Sequence, residues 1–172
     1  LGIPFNSQLI CFTGANEESG MQDIKNYISA HTPPDFSLVC DTGFPLYRGN
    51  KGILHFVATQ EAPMHDITDF SGGSAFNIIL GEAKAKIGEQ VFKEKGISRH
   101  GALPEGSLNA AHVLSKKLSQ SDTLNAYDRK QMDFIANLLE KYYGEVFGIE
   151  HTDKDFGNLT VTNGIVKMTE GK

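Results

Sequence analysis

The stretch that most constrains the chain is residues 96–111, GISRHGALPEGSLNAA. A short apolar run ends at His100 and Gly101. Pro104 and Gly106 then turn the chain, and Ser107 stands where a helix cap belongs, ahead of Leu108, Ala111, Val113, Leu114 and Leu118 at helical spacing. A strand, a tight turn and a helix N-terminus therefore meet around one imidazole. That layout holds a histidine rigidly at a strand end, which suits presentation to a substrate better than burial in a core. As a lone residue, His100 would be an ordinary solvated histidine. The upstream stretch Thr13-Gly-Ala-Asn-Glu-Glu-Ser-Gly20 gives it a chemical context.

Residues 7–13 (SQLICFT) predict a short buried strand. Met21, Ile24, Tyr27 and Ile28 recur at helical spacing, so residues 19–30 predict an amphipathic helix, broken at Thr32-Pro-Pro-Asp35. Residues 36–40 (FSLVC) predict a second strand, ending at Asp41. Acidic residues then stand at the carboxyl ends of both strands, the edge where open α/β sheets bind ligands. Residues 42–52 (TGFPLYRGNKG), rich in glycine, predict a domain crossing.

Beyond the crossing the rhythm changes. Residues 53–59 (ILHFVAT), 67–70, 75–87 and 97–100 predict strands, the third holding the alternating run Ala83-Lys-Ala-Lys-Ile87. Residues 88–95 predict a short helix. A second helix is expected over 107–119 and a long one over 128–147, capped by Asp128, with Met132, Ile135, Leu139 and Tyr142 on its apolar side. Residues 159–168 (LTVTNGIVKM) predict a hairpin around Asn163-Gly164. Strands in one layer and helices in another make this part α+β.

Composition excludes several classes. Hydrophobic residues make up 40% and charged residues 22%, as in ordinary globular proteins. The net charge of -5, with no Lys/Arg block, argues against a nucleic-acid surface. No apolar run approaches the ~20 residues of a membrane span, and the opening LGIPFNSQLICF lacks the basic start of a secretory signal. Cys11 and Cys40 lie in apolar runs with no CxxC spacing, so buried free thiols and a cytoplasmic location are expected.

Adjacent carboxylates such as Glu17 and Glu18 are commonplace in a helix first turn. Here they are flanked by Gly14 and Gly20, and Asp41 is followed by Phe44-Pro45. GANEESG, a helix, and then CDTGFPLYRGNKG resemble the zinc dipeptidases related to peptidase V, carnosine dipeptidase and aminoacylase, peptidase family M-twenty. Their version runs Gly-x-Asp-Glu-Glu-x-Gly, then Asp-x-x-Phe-Pro with Lys-Gly close behind. RHGALPEGSLNAA is similar to the family's His-Gly-x-x-Pro-Glu-x-Gly-x-Asn-Ala. SGGSAFNIIL resembles its glycine-rich strand, and FGNLTVTNGIV the late hairpin of its lid. The resemblance covers most of the chain, in the family's order.

The resemblance implies a role for each matching residue. Glu17 matches the general base, and Glu18 and Asp41 match zinc ligands. His100 matches the lid histidine that reaches over the active site, and Asn77 a substrate-lining lid residue. It implies two zinc ions ~3.5–4 Å apart, sharing a water of lowered pKa that attacks the peptide carbonyl. It also implies an α+β lid with an antiparallel sheet and helices on one face, preceded by a strand–helix–strand piece of an α/β domain. The chain is then expected to be a fragment: residues 1–49 from the catalytic domain, and 50–172 most of the lid. The parent would hydrolyse dipeptides. The alternatives are an N-acyl amino acid deacylase of the same family and a non-catalytic dimerisation or binding module, since in some relatives the lid pairs two subunits into a homodimer. The isolated chain is expected to be inactive, because the family's remaining zinc ligands have no counterpart in it.

The sequence departs from the family pattern in places. Asn16 replaces the usual Asp, Arg99 stands where a small residue is common, and the segment between Ile87 and Ile97 is short. His151-Thr-Asp153 and His65-Asp66 are read as decoys. His31, His55 and His112 are assigned to surface or packing roles.

Overall fold

The computed structural model describes residues 6–17, 20–40, 49–61 and 63–168. The chain divides into two compact units, Leu1–Arg48 and Gly49–Lys172.

In the second unit the alternating run builds the sheet. β1 (Ile67–Gly72), β2 (Glu82–Ile87), β3 (Gln90–Lys95) and the short β6 (Val166–Lys167) form an antiparallel sheet in the order β3-β2-β1-β6. Ala83 and Ala85 are buried while Lys84 points outward, as period-two alternation requires. Ile87 pairs with Gln90 across a two-residue loop, and Gly88 takes φ 56° there, the positive value such a hairpin loop needs at its first central residue. That tight return makes residues 90–95 a strand and not the expected helix. Phe92 and Glu94, half-buried, alternate with exposed neighbours.

Two helices cover one face. α2 (Ala110–Ser119) lies on β2 and β3, and α3 (Ala126–Leu139) packs against α2. Leu114, Leu118, Met132 and Leu139 bury their side chains with Ile67, Phe70, Leu80 and Ala85 in one core. The expected α+β architecture, an antiparallel sheet with helices on one side, is the one observed.

Boundaries differ from expectation for local reasons. α2 is capped by Asn109, whose Oδ1 accepts from Ala111 N at 2.9 Å, because Ser107 spends its hydroxyl on the Pro104 carbonyl at 2.6 Å. α3 is capped by Asn125, while Asp128 is buried and accepts from His65 N at 3.0 Å and Asp66 N at 2.7 Å. In return, Asp66 Oδ2 accepts from Asn125 N at 2.6 Å, so the start of β1 and the start of α3 cap one another. α3 ends at Leu139. The left-handed Gly144, at φ 87°, separates it from a 3₁₀ turn, Glu145–Phe147. The expected hairpin at Asn163-Gly164 does not form. Gly164 is buried where an added Cβ would strike the Ala75 and Phe76 carbonyls, and Val166–Lys167 leaves it to pair with β1. Thr152–Asp153 (β4) and Gly157–Asn158 (β5) form a separate two-stranded ladder.

The first unit contains α1 (Gln22–Ala30), with no buried residue among its nine. Residues 7–13 and 36–40, expected as strands, form no ladder, and neither do residues 53–59 of the second unit. An apolar run becomes a strand only when another strand accepts its backbone, and among the described residues none pairs with these. Leu9, Phe36 and Ile53 are exposed in consequence. Cys11 and Cys40 are free thiols, as expected, but exposed and not buried.

Candidate functional site

In the first unit the Glu17 loop is tied back to the helix that follows it. Asp23 Oδ2 accepts from Ala15 N at 2.7 Å and Asn16 N at 3.1 Å, and Asn16 Oδ1 accepts from Gln22 N at 2.7 Å. Burial pushes the Asp23 carboxyl up, but the amides of Ile24, Ala15 and Asn16 together bring it below the ordinary carboxylate range. Gly14 has room for no side chain, because an added Cβ would sit 2.6 Å from Asp23 Oδ2. Asn16 thus acts locally, holding the loop on α1. Glu17 is exposed within this loop. Glu18 and Asp41, the two expected metal ligands, lie outside the described residues.

In the second unit His100 and Asn77 are drawn together by the backbone. Beyond Glu82↔Lys95 the β2–β3 hairpin continues past one extra residue and ends in an isolated antiparallel bridge, Ile78↔His100. Ile79 N donates to the Arg99 carbonyl at 2.9 Å and Gly101 N to the Asn77 carbonyl at 2.7 Å. Those flanking bonds make Ile78 and His100 a non-hydrogen-bonded pair, the closer kind, with both side chains on one face.

The turn after His100 is pinned at several points. Leu103 N donates to the His100 carbonyl at 2.9 Å. Ser107 N and Oγ both donate to the Pro104 carbonyl. Tyr143 Oη donates to Glu105 Oε1 at 2.8 Å. Glu105's own amide, the Tyr143 hydroxyl and the charges of Lys51 and Arg99 hold its carboxyl below its usual value, and the same contact raises Tyr143. His100 is exposed. Its Nδ1 accepts from Ala102 N at 3.1 Å, which leaves the neutral ring's proton on Nε2. The exposed ring, held through Nδ1, therefore offers an Nε2–H donor, suited to an oxygen that gains charge.

The other histidines divide cleanly. His112 Nδ1 lies 2.9 Å from the Ala136 carbonyl. His31 stacks on Tyr27 and His55 on Phe76. His65-Asp66 works through its backbone amides and the Asp66 carboxylate in the β1–α3 clamp. Among the described residues no three His, Cys, Asp or Glu side chains converge as a metal cage, and no helix is long and apolar enough to cross a membrane. Sequence reasoning missed the clamp, although Asn125 followed by an acid three residues on is a capping signature. It also missed the pairing of Ile78 with His100.

No protein-family model matches the chain. Several proteins that carry the name "Putative dipeptidase" are similar to it along nearly its whole length. One, YtjP of Bacillus subtilis, is 21% identical across 100% of this chain and 45% of its own length. The other, from Staphylococcus saprophyticus, is 24% identical across 96% of this chain and 43% of its own. A Staphylococcus aureus relative of the same name is 23% identical with the same coverage. The chain spans less than half the length of these curated relatives.

Proposed function

We propose that the chain is the lid-bearing part of a zinc dipeptidase. Residues 1–49 would carry part of the catalytic domain and 50–172 the lid. The reading rests on His100, an exposed ring held through Nδ1 at the end of a bulged strand, in a chain whose whole length is similar to a protein named as a dipeptidase. His100 would donate to the peptide carbonyl oxygen as it becomes an oxyanion, and Asn77, joined to its turn by a backbone bond, would line the substrate. Glu17, exposed on its tied loop, would take a proton from the attacking water.

Zinc, when bound, would supply that water in an acidified form. Glu18 and Asp41 offer it oxygen donors, which suit magnesium or calcium about as well. A catalytic zinc site takes three protein ligands plus water, so the rest of the donor set would have to come from elsewhere in the full-length parent. The chain by itself should bind zinc weakly and cleave no dipeptide, as calorimetry and a turnover assay would register.

The experiment is substitution in the parent enzyme. His100→Ala should lower kcat by about 10²–10³ and leave KM nearly unchanged, because its bond forms only as charge develops. Glu17→Gln should abolish turnover with metal content intact, and Glu18→Ala should lose metal. A change in KM alone for His100→Ala would make it a binding or structural residue, and equal metal loss in both glutamate variants would reverse their roles.

A further inference from the structure

Two adjacent tyrosines grip the segment that leads from His100 into α2. Tyr143 Oη donates to Glu105 Oε1 at 2.8 Å. Tyr142 Oη accepts from Asn109 N at 3.0 Å. α3 has ended before them, at Leu139, so the two neighbours reach partners four residues apart in that segment. Apolar spacing alone would be met as well by phenylalanine. Each hydroxyl, however, has a partner of its own. The same corner backs the histidine from another side. Val161 N donates to the Tyr142 carbonyl at 2.7 Å, and one residue on, Thr162 Oγ1 occupies the space that a Cβ on Gly101 would need.

Glu105 is exposed, yet three groups attend its carboxylate. Besides the Tyr143 hydroxyl, Lys51 and Arg99 bring positive charge. Arg99 directly precedes His100, and its guanidinium lies over Gly106, 3.7 Å from where a Cβ would stand. Exposed pairings of this kind add little to global stability. What they fix is local, namely where the turn over residues 100–107 lies. Within that turn the chain makes the bonds that set the imidazole: Leu103 N donates to the His100 carbonyl at 2.9 Å and Ala102 N to His100 Nδ1 at 3.1 Å. Both donors lie between His100 and Glu105, so a displacement of Glu105 is felt at each of them.

We propose that Tyr143 and Glu105 are positioning residues for His100: their contact holds the turn in the form in which Ala102 N meets Nδ1 and the ring offers its Nε2–H. This rests on the dipeptidase reading of His100 and adds to it two residues that touch no substrate and act through the histidine.

The test uses the full-length parent. In Tyr143→Phe, amide hydrogen exchange over residues 100–107 should quicken by about tenfold while the melting temperature stays near that of the parent. Its kcat for dipeptides should fall about tenfold or more with KM nearly unchanged, since a misplacement of about 1 Å can cost about 10²-fold. Glu105→Ala should match it, and the double variant should be no slower than either, because the same contact is lost in all three. Glu105→Gln keeps an oxygen for the Tyr143 hydroxyl and should retain most of kcat. Exchange unchanged in Tyr143→Phe, or quickened exchange with kcat untouched, overturns the positioning role and spares the dipeptidase. Additive losses in the double variant overturn it as well. A parent that turns over no dipeptide overturns the dipeptidase reading and the positioning role with it.

Discussion

The two units contain similar apolar runs and put them to different use. In the second, β2 and β3 are joined by a two-residue loop, β1 pairs with β2, and α2 and α3 close over them, so Ile67, Leu114 and Met132 are almost wholly buried. In the first, the described runs over residues 7–13 and 36–40 find no partner strand, and α1 buries none of its residues. The difference lies in backbone pairing, not in hydrophobicity. The same contrast separates the proposed chemical groups. His100 sits on a ladder end with its turn pinned at several points. Glu17 sits on a loop tied by Asp23 and Asn16 to the helix that directly follows it, which is a local device.

That contrast has a measurable core. Leu114→Ala should destabilise the second unit by about 3–5 kcal/mol in urea unfolding, the cost of a cavity in a closed core. Asp128→Ala should cost about 3 kcal/mol, because it removes the buried carboxylate that accepts from the part-buried His65 and Asp66 amides. Asn109→Ala should cost about 1 kcal/mol through the lost cap of α2.

The acid limb is a finer test. The backbone amide of Asn125, and then its side chain, hold Asp66 below its ordinary value. A carboxyl with a depressed folded pKa contributes stability above its unfolded pKa, near ~4, and loses it as pH falls through the lower folded value. Stability should therefore decline below about pH 4, and Asp66→Asn should flatten that decline in a pH series of urea midpoints. The smallest effect is expected in the first unit: Ile28→Ala on α1 should stay within about 0.5 kcal/mol. A loss there as large as that of Leu114→Ala would dissolve the comparison.

Much of the second unit was legible in the sequence. Ala83-Lys-Ala-Lys-Ile87 announced a half-buried strand, and the spacing of Ala111, Leu114 and Leu118 announced α2. The helix expected over residues 88–95 was misread because Gln90–Lys95 has little periodicity of its own. Its strand state comes from Gly88 and from pairing with β2. The caps were displaced because several side chains could serve: Ser107 and Asp128 are both good cap residues, and only tertiary contact shows that each is engaged elsewhere. At the site, the turn after His100 was readable from Pro104 and Gly106. That Ile78 stands opposite His100 was not, because one extra residue in the strand shifts the register and leaves no local mark.

The reciprocal clamp between β1 and α3 also bears on the order of events in folding. Asp128 accepts from His65, 63 residues away along the chain, and β2, β3 and α2 all lie in the loop that this contact closes. The β2–β3 hairpin is local and fast, whereas closing so long a loop is entropically costly until the intervening structure has formed. The clamp should then be completed after the rate-limiting barrier. Its loss should steepen escape from the native state, raising the unfolding rate while leaving the refolding rate nearly unchanged. The mutual capping that positions β1 and α3 is in this sense a latch, setting how long the fold of the second unit persists more than how quickly it is reached.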